Sequence, residues 1–126
     1  MSLQPAAAPL NVSTWFDEAR AVVEAAGELD VYTSPRLRVA LMDLHMAGRC
    51  LLVVDMAAVA FMDSSALGVL VGGVKRARDA GGALVLVAPS ERILRVLRIT
   101  GLLRVMPVFE TLPEAFAHLD SADKRP

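Results

Sequence analysis

Cysteine, aromatic residues and excess charge are all scarce in this chain. Its 126 residues include one cysteine, one tryptophan and one tyrosine, and the formal net charge is −1. A single cysteine, Cys50, excludes a disulfide within the chain and fits a reducing cytosol. A net charge close to zero argues against a protein that binds the phosphate backbone of nucleic acids. The composition therefore excludes a disulfide-stabilised scaffold and disfavours a nucleic-acid partner.

Long apolar runs are absent as well, although apolar residues are abundant. Hydrophobic residues make up 55% of the sequence and the mean hydropathy is +0.48. No uninterrupted apolar run reaches the ~18 residues expected of a membrane span. The segment Met1–Pro9 has no basic stretch followed by an apolar one, so we expect no secretory signal. We predict a cytoplasmic protein that does not insert into a membrane.

Motifs for catalysis, metal binding and nucleotide binding are also missing. One cysteine and two distant histidines, His45 and His118, do not supply the ligands of a metal site. Both histidines fall near the C-terminal ends of predicted helices, where the helix dipole accounts for them. Neither Gly72-Gly73 nor Gly81-Gly82 carries the Lys-Ser/Thr of a phosphate-binding loop. We predict no cofactor and no enzymatic activity, with a small hydrolase or nucleotide binder as the enzymatic alternative.

Apolar patterning and helix-boundary residues predict alternating strands and helices. The predicted strands are 12–16, 20–26, 50–54, 83–88 and 105–109, and the predicted helices are 35–46, 63–78, 90–98 and 111–119. The first two strands form a hairpin through a turn at Asp17–Ala19. This order predicts a single α/β domain with a mixed, mostly parallel sheet of about five strands and about four helices. We place the domain at 10–120, between flexible tails at 1–9 and 121–126.

Two further expectations concern the middle of the chain. The segment Asp55–Met62 is predicted to be a loop that joins the apolar strand to the next helix. Gly72 and Gly73 lie inside that helix, where each costs about 1 kcal/mol relative to Ala. Their presence indicates close packing of the helix against another backbone.

A polar cluster stands at the start of the same helix. Asp63 is placed to cap the free N–H groups of the first turn, in which Ser64 and Ser65 lie. That end of a helix carries about half a positive charge and accommodates an added phosphate. Because the carboxyl ends of parallel strands meet at one edge of a sheet, we expect Asp30 to lie on the same side. An ordinary helix start is the simpler alternative.

The string Asp63–Gly68 resembles the phosphorylation motif of STAS domains, specifically of bacterial anti-sigma factor antagonists. The usual form of that motif is Asp-Ser-Ser-Gly-Leu-Gly. The segments Gly27–Asp30 and Gly101-Leu102 resemble two further signatures of the family in the same order, and the resemblance covers Trp15–Leu119. The departure from the motif is Ala66, which adds a methyl group where we expect a partner's backbone to approach.

The resemblance implies a protein-binding module that is gated by phosphorylation. Ser64 matches the phosphoacceptor, Asp63 would orient its hydroxyl, and Ser65 would support the first turn. The predicted partner-binding residues are Asp30, Thr33, Asp63, Ser65, Leu67 and Val71.

The resemblance also implies the partners. The unphosphorylated protein would sequester an anti-sigma factor that is also a serine kinase, and so release a sigma factor, while a serine phosphatase would reset it. We expect a monomer or weak dimer. The alternative is a STAS module that is never phosphorylated and serves in a membrane transport complex or a stress-signalling assembly. Arg92, Arg95 and Arg98 predict a solvated helix face, or a basic patch for an acidic partner.

Overall fold

A computed structural model describes residues 10–125 as one mixed sheet with helices on both faces. The strands are β1 (Asn11–Phe16), β2 (Arg20–Leu29), β3 (Leu51–Met62), β4 (Ala83–Val87) and β5 (Val108–Phe109). The helices are α1 (Ser34–Met46), α2 (Ser64–Asp79), α3 (Glu91–Ile99) and α4 (Leu112–Ala122), with a 3₁₀ turn at Leu102–Arg104. The predicted fold class and order of elements are confirmed, while the predicted tail at 1–9 lies outside the described residues.

The strands lie in the order β1-β2-β3-β4-β5. The β1–β2 pair is antiparallel, as the predicted hairpin requires, and the other three pairs are parallel. Asp17 shapes the hairpin turn. Its carboxylate accepts hydrogen bonds from the backbone N–H groups of Arg20 at 2.7 Å and Ala19 at 3.0 Å. The Arg20 guanidinium lies 2.8 Å from the same carboxylate.

The sheet separates two apolar cores of unequal size. Leu52 and Val54 of β3 belong to the larger core, into which α1, α2 and α3 pack. Leu51 and Val53 point to the opposite face and belong to the smaller core, which α4 covers. Because successive side chains of a strand alternate between faces, a strand covered on both sides has to be apolar throughout. This double coverage explains the unbroken apolar run at 51–54.

The predicted loop at Asp55–Met62 is wrong, because β3 continues to Met62. Beyond Asp55 the strand has left β4 and pairs with β2 alone, through two register shifts, until Leu29 meets Met62. Met56 and Val59 are buried in the larger core, whereas Ala57 and Ala58 are exposed. The register shifts and the loss of cover on one face disturb the apolar pattern, which is why this half does not look like the first.

Two boundaries at the C-terminal end also differ from the prediction. β5 begins only at Val108, since the chain forms the 3₁₀ turn and a bend before it. The last helix runs to Ala122, which is inside the segment that we assigned to a tail. Beyond it, the Lys124 N–H donates a 2.9 Å hydrogen bond to the Gly81 carbonyl. This bond ties the end of the described chain to the turn after α2.

Close packing at the glycine pair of α2 is confined to one residue. A Cβ atom on Gly73 would lie 2.9 Å from a methyl of Leu84 and 3.3 Å from a methyl of Leu41. The nearest atom to Gly72 belongs to Arg76 of the same helix. The expectation of close packing therefore holds for Gly73, but the neighbours are side chains of β4 and α1 and not another backbone.

A backbone contact of that kind occurs instead at Gly82. A Cβ atom there would overlap the carbonyl oxygen of Cys50 and lie 2.6 Å from its carbonyl carbon. The Ala83 N–H donates to the same carbonyl at 2.9 Å, which fixes the start of β4 beside β3.

We expect Gly82→Ala to lower the free energy of unfolding by about 1–3 kcal/mol, because the added methyl must displace backbone atoms. Gly68→Ala is the matched control. Gly68 is exposed in α2 and nothing lies within 4 Å of its Cβ position. This substitution should raise the free energy of unfolding by about 1 kcal/mol through helix propensity. Urea unfolding measures both changes, and equal stabilities of the two variants would contradict the assigned contact.

We expect the hairpin turn to make stability depend on pH. The backbone N–H of Arg20, followed by the Arg20 guanidinium, lowers the pKa of Asp17 from 3.8 to about 2. A carboxyl group with a lowered pKa stabilises the fold above the unfolded pKa and loses this contribution as pH falls. Asp17→Asn should therefore destabilise the protein at pH 5–7, and the difference from wild type should shrink between about pH 4 and pH 2.

Urea unfolding at a series of pH values measures this difference. Asp79→Asn, at the exposed end of α2, controls for the loss of one negative charge. A difference between wild type and Asp17→Asn that stays constant across this range would contradict the assignment.

Candidate functional site

The candidate site lies where β2 and β3 end side by side. Leu29 and Met62, the last residues of the two strands, are register partners. The N–H of Asp63 donates a 3.0 Å hydrogen bond to the carbonyl of Leu29. The two segments that follow, Asp30–Thr33 and the first turn of α2, are therefore held next to each other. The sequence placed these two segments at one edge of the sheet, and the structure brings them together there.

Asp63 caps α2 through its side chain. It has extended backbone geometry, and its Oδ1 atom accepts hydrogen bonds from the N–H groups of Ser65 at 2.8 Å and Ala66 at 3.3 Å. Two of the free donors at the helix start are thereby satisfied. Ser64 is the first residue of α2 and is exposed, whereas Ser65 is half-buried. The cap leaves the Ser64 hydroxyl as the accessible one of the pair, and orientation of this hydroxyl by Asp63 stays a prediction.

The adjoining segment Asp30–Thr33 is a tightly bonded turn. The Oδ1 atom of Asp30 accepts hydrogen bonds from the N–H groups of Thr33 and Tyr32, both at 2.9 Å. The Thr33 hydroxyl donates to the Glu28 carbonyl at 2.6 Å and accepts from the Asp30 N–H at 2.9 Å. The Thr33 N–H, as the largest cause, lowers the pKa of Asp30, so the carboxylate is ionised at neutral pH. Asp30 and Thr33 are thus committed to the shape of the turn.

The turn presents apolar side chains that our sequence analysis missed. Tyr32 is 87% exposed and Val31 is 58% exposed, and Phe61, near the end of β3, is 39% exposed. A recognisable signal was present in the sequence. An Asp and a Thr that bond to each other's backbone form a turn, and the residues between them point outward. Apolar residues at such positions indicate a contact surface.

The exposed face of α2 also carries apolar side chains. Ser64, Leu67, Gly68 and Val71 recur at three- and four-residue intervals and so share one face of the helix. Val71 is 40% exposed, Leu67 is half-buried and packs against the larger core, and Gly68 is exposed. Leu67 and Val71 were both predicted as partner-binding residues. We call the set Val31, Tyr32, Phe61, Ser64 and Val71 the Ser64 surface.

The expectation for Ala66 is wrong. Its side chain is fully buried in the larger core, two residues beyond Ser64 and hence on the opposite side of the helix. The methyl group therefore fills the core and does not meet a partner. The open glycine position on the exposed face is Gly68, where an added Cβ atom would have no neighbour within 4 Å.

Other polar groups of the described residues do not assemble a second chemical site. Within residues 10–125, no group of three His, Cys, Asp or Glu side chains is arranged to hold a metal ion. The His118 ring packs 5.2 Å from the ring of Phe109. The three arginines of α3 are exposed and form no ion pair within the same residues, which fits both a solvated face and a basic patch for an acidic partner. None of the helices described has the length and apolar character of a membrane span.

Comparison with known proteins identifies a family. The family model of the STAS domain matches residues 14–115. The anti-sigma-B factor antagonist of Bacillus subtilis (strain 168) is 39% identical over 99 residues, which are 79% of this chain and 90% of that protein.

Solved structures share the fold. An anti-sigma factor antagonist from Mycobacterium paratuberculosis superposes with a TM-score of 0.80 at 25% identity, covering 88% of this chain and 94% of that one. The Bacillus cell fate determinant SpoIIAA in its phosphorylated form has a TM-score of 0.68 at 23% identity, covering 86% and 97% of the two chains. The family match over most of the chain, together with a relative at 39% identity, shows that this protein belongs to the STAS domain family.

Proposed function

We propose that this protein is a cytoplasmic anti-sigma factor antagonist whose binding to an anti-sigma factor is switched off by phosphorylation of Ser64. The observation that carries the proposal is the position of Ser64. It is exposed in the first turn of a capped helix, and exposed apolar side chains occur on the same helix and in the adjoining Asp30–Thr33 turn. The name of the Bacillus subtilis relative supports an anti-sigma factor as the partner.

The helix start allows the fold to carry the phosphate. Phosphate adds about −1.5 to −2 charges at neutral pH. At the N-terminus of a helix such charge is favourable by about 0.3–1 kcal/mol. The core residues of α2, among them Ala66 and Leu70, lie on the other side of the helix and remain buried. Phosphorylation of Ser64 should therefore leave the fold unchanged.

The same charge opposes binding. In a complex it would be enclosed between a partner and the apolar side chains of the Ser64 surface, close to the carboxylate of Asp63. Enclosing a charge without a countercharge costs several kcal/mol. A cost of about 3 kcal/mol lowers affinity roughly a hundredfold. The switch that we propose is thus a local electrostatic block that needs no conformational change.

The predicted binding residues divide into two groups under this proposal. Val71 and Leu67 contact the partner, as do the newly found Tyr32 and Val31. The remaining predicted residues hold those contacts in place, since they cap α2 or close the turn before α1. These supporting residues are Asp30, Thr33, Asp63 and Ser65.

The proposed partners follow from this switch. An anti-sigma factor that is also a serine kinase would bind the unphosphorylated chain and release its sigma factor, and would later modify Ser64 with ATP that it binds itself. A serine phosphatase would restore the binding form. The enzymatic alternative has no support, because the relatives are antagonists of a regulatory factor, which are binding proteins and not enzymes.

We expect Ser64→Ala to bind the anti-sigma factor constitutively and Ser64→Asp to bind it roughly a hundredfold more weakly. Ser121→Asp is the matched control. It adds the same charge at an exposed position of α4, on the opposite face of the sheet, and should leave affinity unchanged. Isothermal titration calorimetry with the co-encoded anti-sigma factor measures the three affinities. Equal binding by Ser64→Asp and wild type would contradict the proposed switch.

Kinase treatment tests the acceptor itself. Incubation with the co-encoded kinase and ATP, followed by mass mapping, should label the peptide that contains Ser64. Labelling should disappear in Ser64→Ala and persist in Ser65→Ala. A wild-type chain that binds the anti-sigma factor but is not labelled would favour the STAS module that is never phosphorylated.

We expect Tyr32→Ala to weaken binding of the anti-sigma factor by about 10-fold or more, because exposed tyrosines often dominate binding energy. The free energy of unfolding should not change, since the side chain is 87% exposed. Met46→Ala is the matched control, at a side chain that is 80% exposed at the far end of α1. Equal affinities of the two variants would remove Tyr32 from the proposed interface.

A further inference from the structure

The two outer edges of the sheet differ in how well they are protected. β5 has two residues and follows Pro107, so it offers little backbone to another strand. β1 has six residues, all exposed except the half-buried Val12. Its sequence, Asn-Val-Ser-Thr-Trp-Phe, has no charge and no proline, and its register with β2 is uninterrupted. Charges, prolines and bulges are the usual means of keeping an edge strand unpaired, and β1 has none of them.

The hydrogen-bonding groups on the open side of β1 belong to alternate residues. The Asp17 N–H donates to the Arg20 carbonyl at 3.0 Å, which places Asp17 in a hydrogen-bonded pair of the β1–β2 ladder. Such pairs recur at every second residue of an antiparallel ladder. The residues between them, Val12, Thr14 and Phe16, therefore direct their N–H and C=O groups away from β2, toward the open edge.

We propose that this edge pairs with the same edge of a second copy of the chain, antiparallel and around a twofold axis at Thr14. Residues opposite each other in an antiparallel pair have side chains on the same face, so a twofold axis must place one residue opposite itself. An axis at Thr14 sets Val12 against Phe16 of the second copy. Every outward N–H and C=O of Val12, Thr14 and Phe16 then has a partner.

The side chains on β1 are self-complementary in this register. Val12 with Phe16 is a β-branched–aromatic pair, and Thr14 with Thr14 of the second copy is a hydroxyl pair. Ser13 meets Trp15 of the second copy on the other face. Pairs of these kinds stabilise antiparallel strands. The occupant that best satisfies the edge is thus a strand with this same sequence.

Helix α1 lines the same edge. A groove between β1 and α1 is lined by Arg36 and Val39 next to Val12, and by Asp43 and Arg49 next to Phe16. The Arg49 guanidinium lies 3.8 Å from the centroid of the Phe16 ring. Because the axis sets the Val12 end of one copy against the Phe16 end of the other, Arg36 approaches one acidic and one basic residue of the second copy, and the backbone and side-chain pairing of β1 decides the register. Val39, which is 59% exposed, lies between the two ends of the groove and would lose contact with water.

The proposed interface is separate from the Ser64 surface. The strand order places β2 between β1 and β3, and Ser64 follows β3. Pairing through β1 therefore does not depend on the proposed function, and either can fail without the other.

Sedimentation equilibrium of the full chain, from micromolar to submillimolar concentration, should reveal a monomer–dimer equilibrium. Thr14→Pro removes the outward N–H of residue 14 and leaves the hydrogen bonds between β1 and β2 intact. Each copy then loses one hydrogen bond at the axis, so the dimer loses two, and the dimer dissociation constant should rise by about 30-fold. Thr14→Val keeps the N–H and is the matched control. If Thr14→Pro does not fold, Thr14→Lys replaces it, since it sets two positive charges opposite each other at the axis.

Cysteine cross-linking tests the register. The Cα atoms of a self-paired residue 14 would lie about 5.5 Å apart, which is within reach of a disulfide. The two copies of residue 12 would be about 14 Å apart, four residues along the strand. Thr14→Cys should therefore form a cross-linked dimer on mild oxidation, and Val12→Cys should not. The native Cys50 is buried, so we expect it to form no cross-link between copies.

Three results would overturn the proposal. The first is a chain that stays monomeric at every concentration. In that case the β1 edge would be available only to a strand of another protein. The second is a dimer whose dissociation constant is the same in Thr14→Pro, or Thr14→Lys, as in wild type. The third is equal cross-linking of Thr14→Cys and Val12→Cys.

Discussion

The hydrogen bond between the Asp63 N–H and the Leu29 carbonyl joins the ends of two parallel strands, and the candidate site depends on it. It sets the point at which both strands, β2 and β3, leave the sheet. Two acidic residues then follow, and each directs its carboxylate to backbone N–H groups: Asp63 to the start of α2, Asp30 to the turn before α1. The polar groups thus hold the two segments in place, and the residues that we propose to meet a partner are Ser64 and the exposed apolar side chains of both segments.

The proposed switch depends on the different surroundings of the two faces of helix α2. One face, with Leu70 and Val74, is sealed in the larger core together with α1 and α3. The other begins with an exposed hydroxyl at the positively polarised end of the helix. A charge placed there meets favourable backbone dipoles within the chain and an unfavourable apolar environment within a complex. Under the proposed function, a phosphate on Ser64 would therefore favour the folded chain and oppose the complex.

The unequal helix layers also shape the outer surfaces of the molecule. Three helices of the described chain cover one face of the sheet and one helix covers the other. The strand β1 is antiparallel to β2 and is joined to it by a short hairpin turn. This connection needs no crossover helix, so no helix has to pack beside the outer edge of β1. Among residues 10–125 nothing pairs with that outer edge, whereas the two-residue β5 offers little backbone at the opposite edge. The two contact surfaces that we propose are therefore separate, one at the strand ends and one along a strand.

Local patterns in the sequence were enough to predict the order of elements, the doubly covered strand at 51–54 and the capped helix start at Asp63. These features depend on periodicity and on contacts within a few residues. The second half of β3 could not be predicted in this way. Pairing with β4 and packing against α4 both end before it, and the apolar pattern is lost. The burial of Ala66 and the exposure of Tyr32 likewise became evident only in the folded chain. They depend on how α2 is rotated against the sheet and on which strand ends meet, and residues far away in the chain set both.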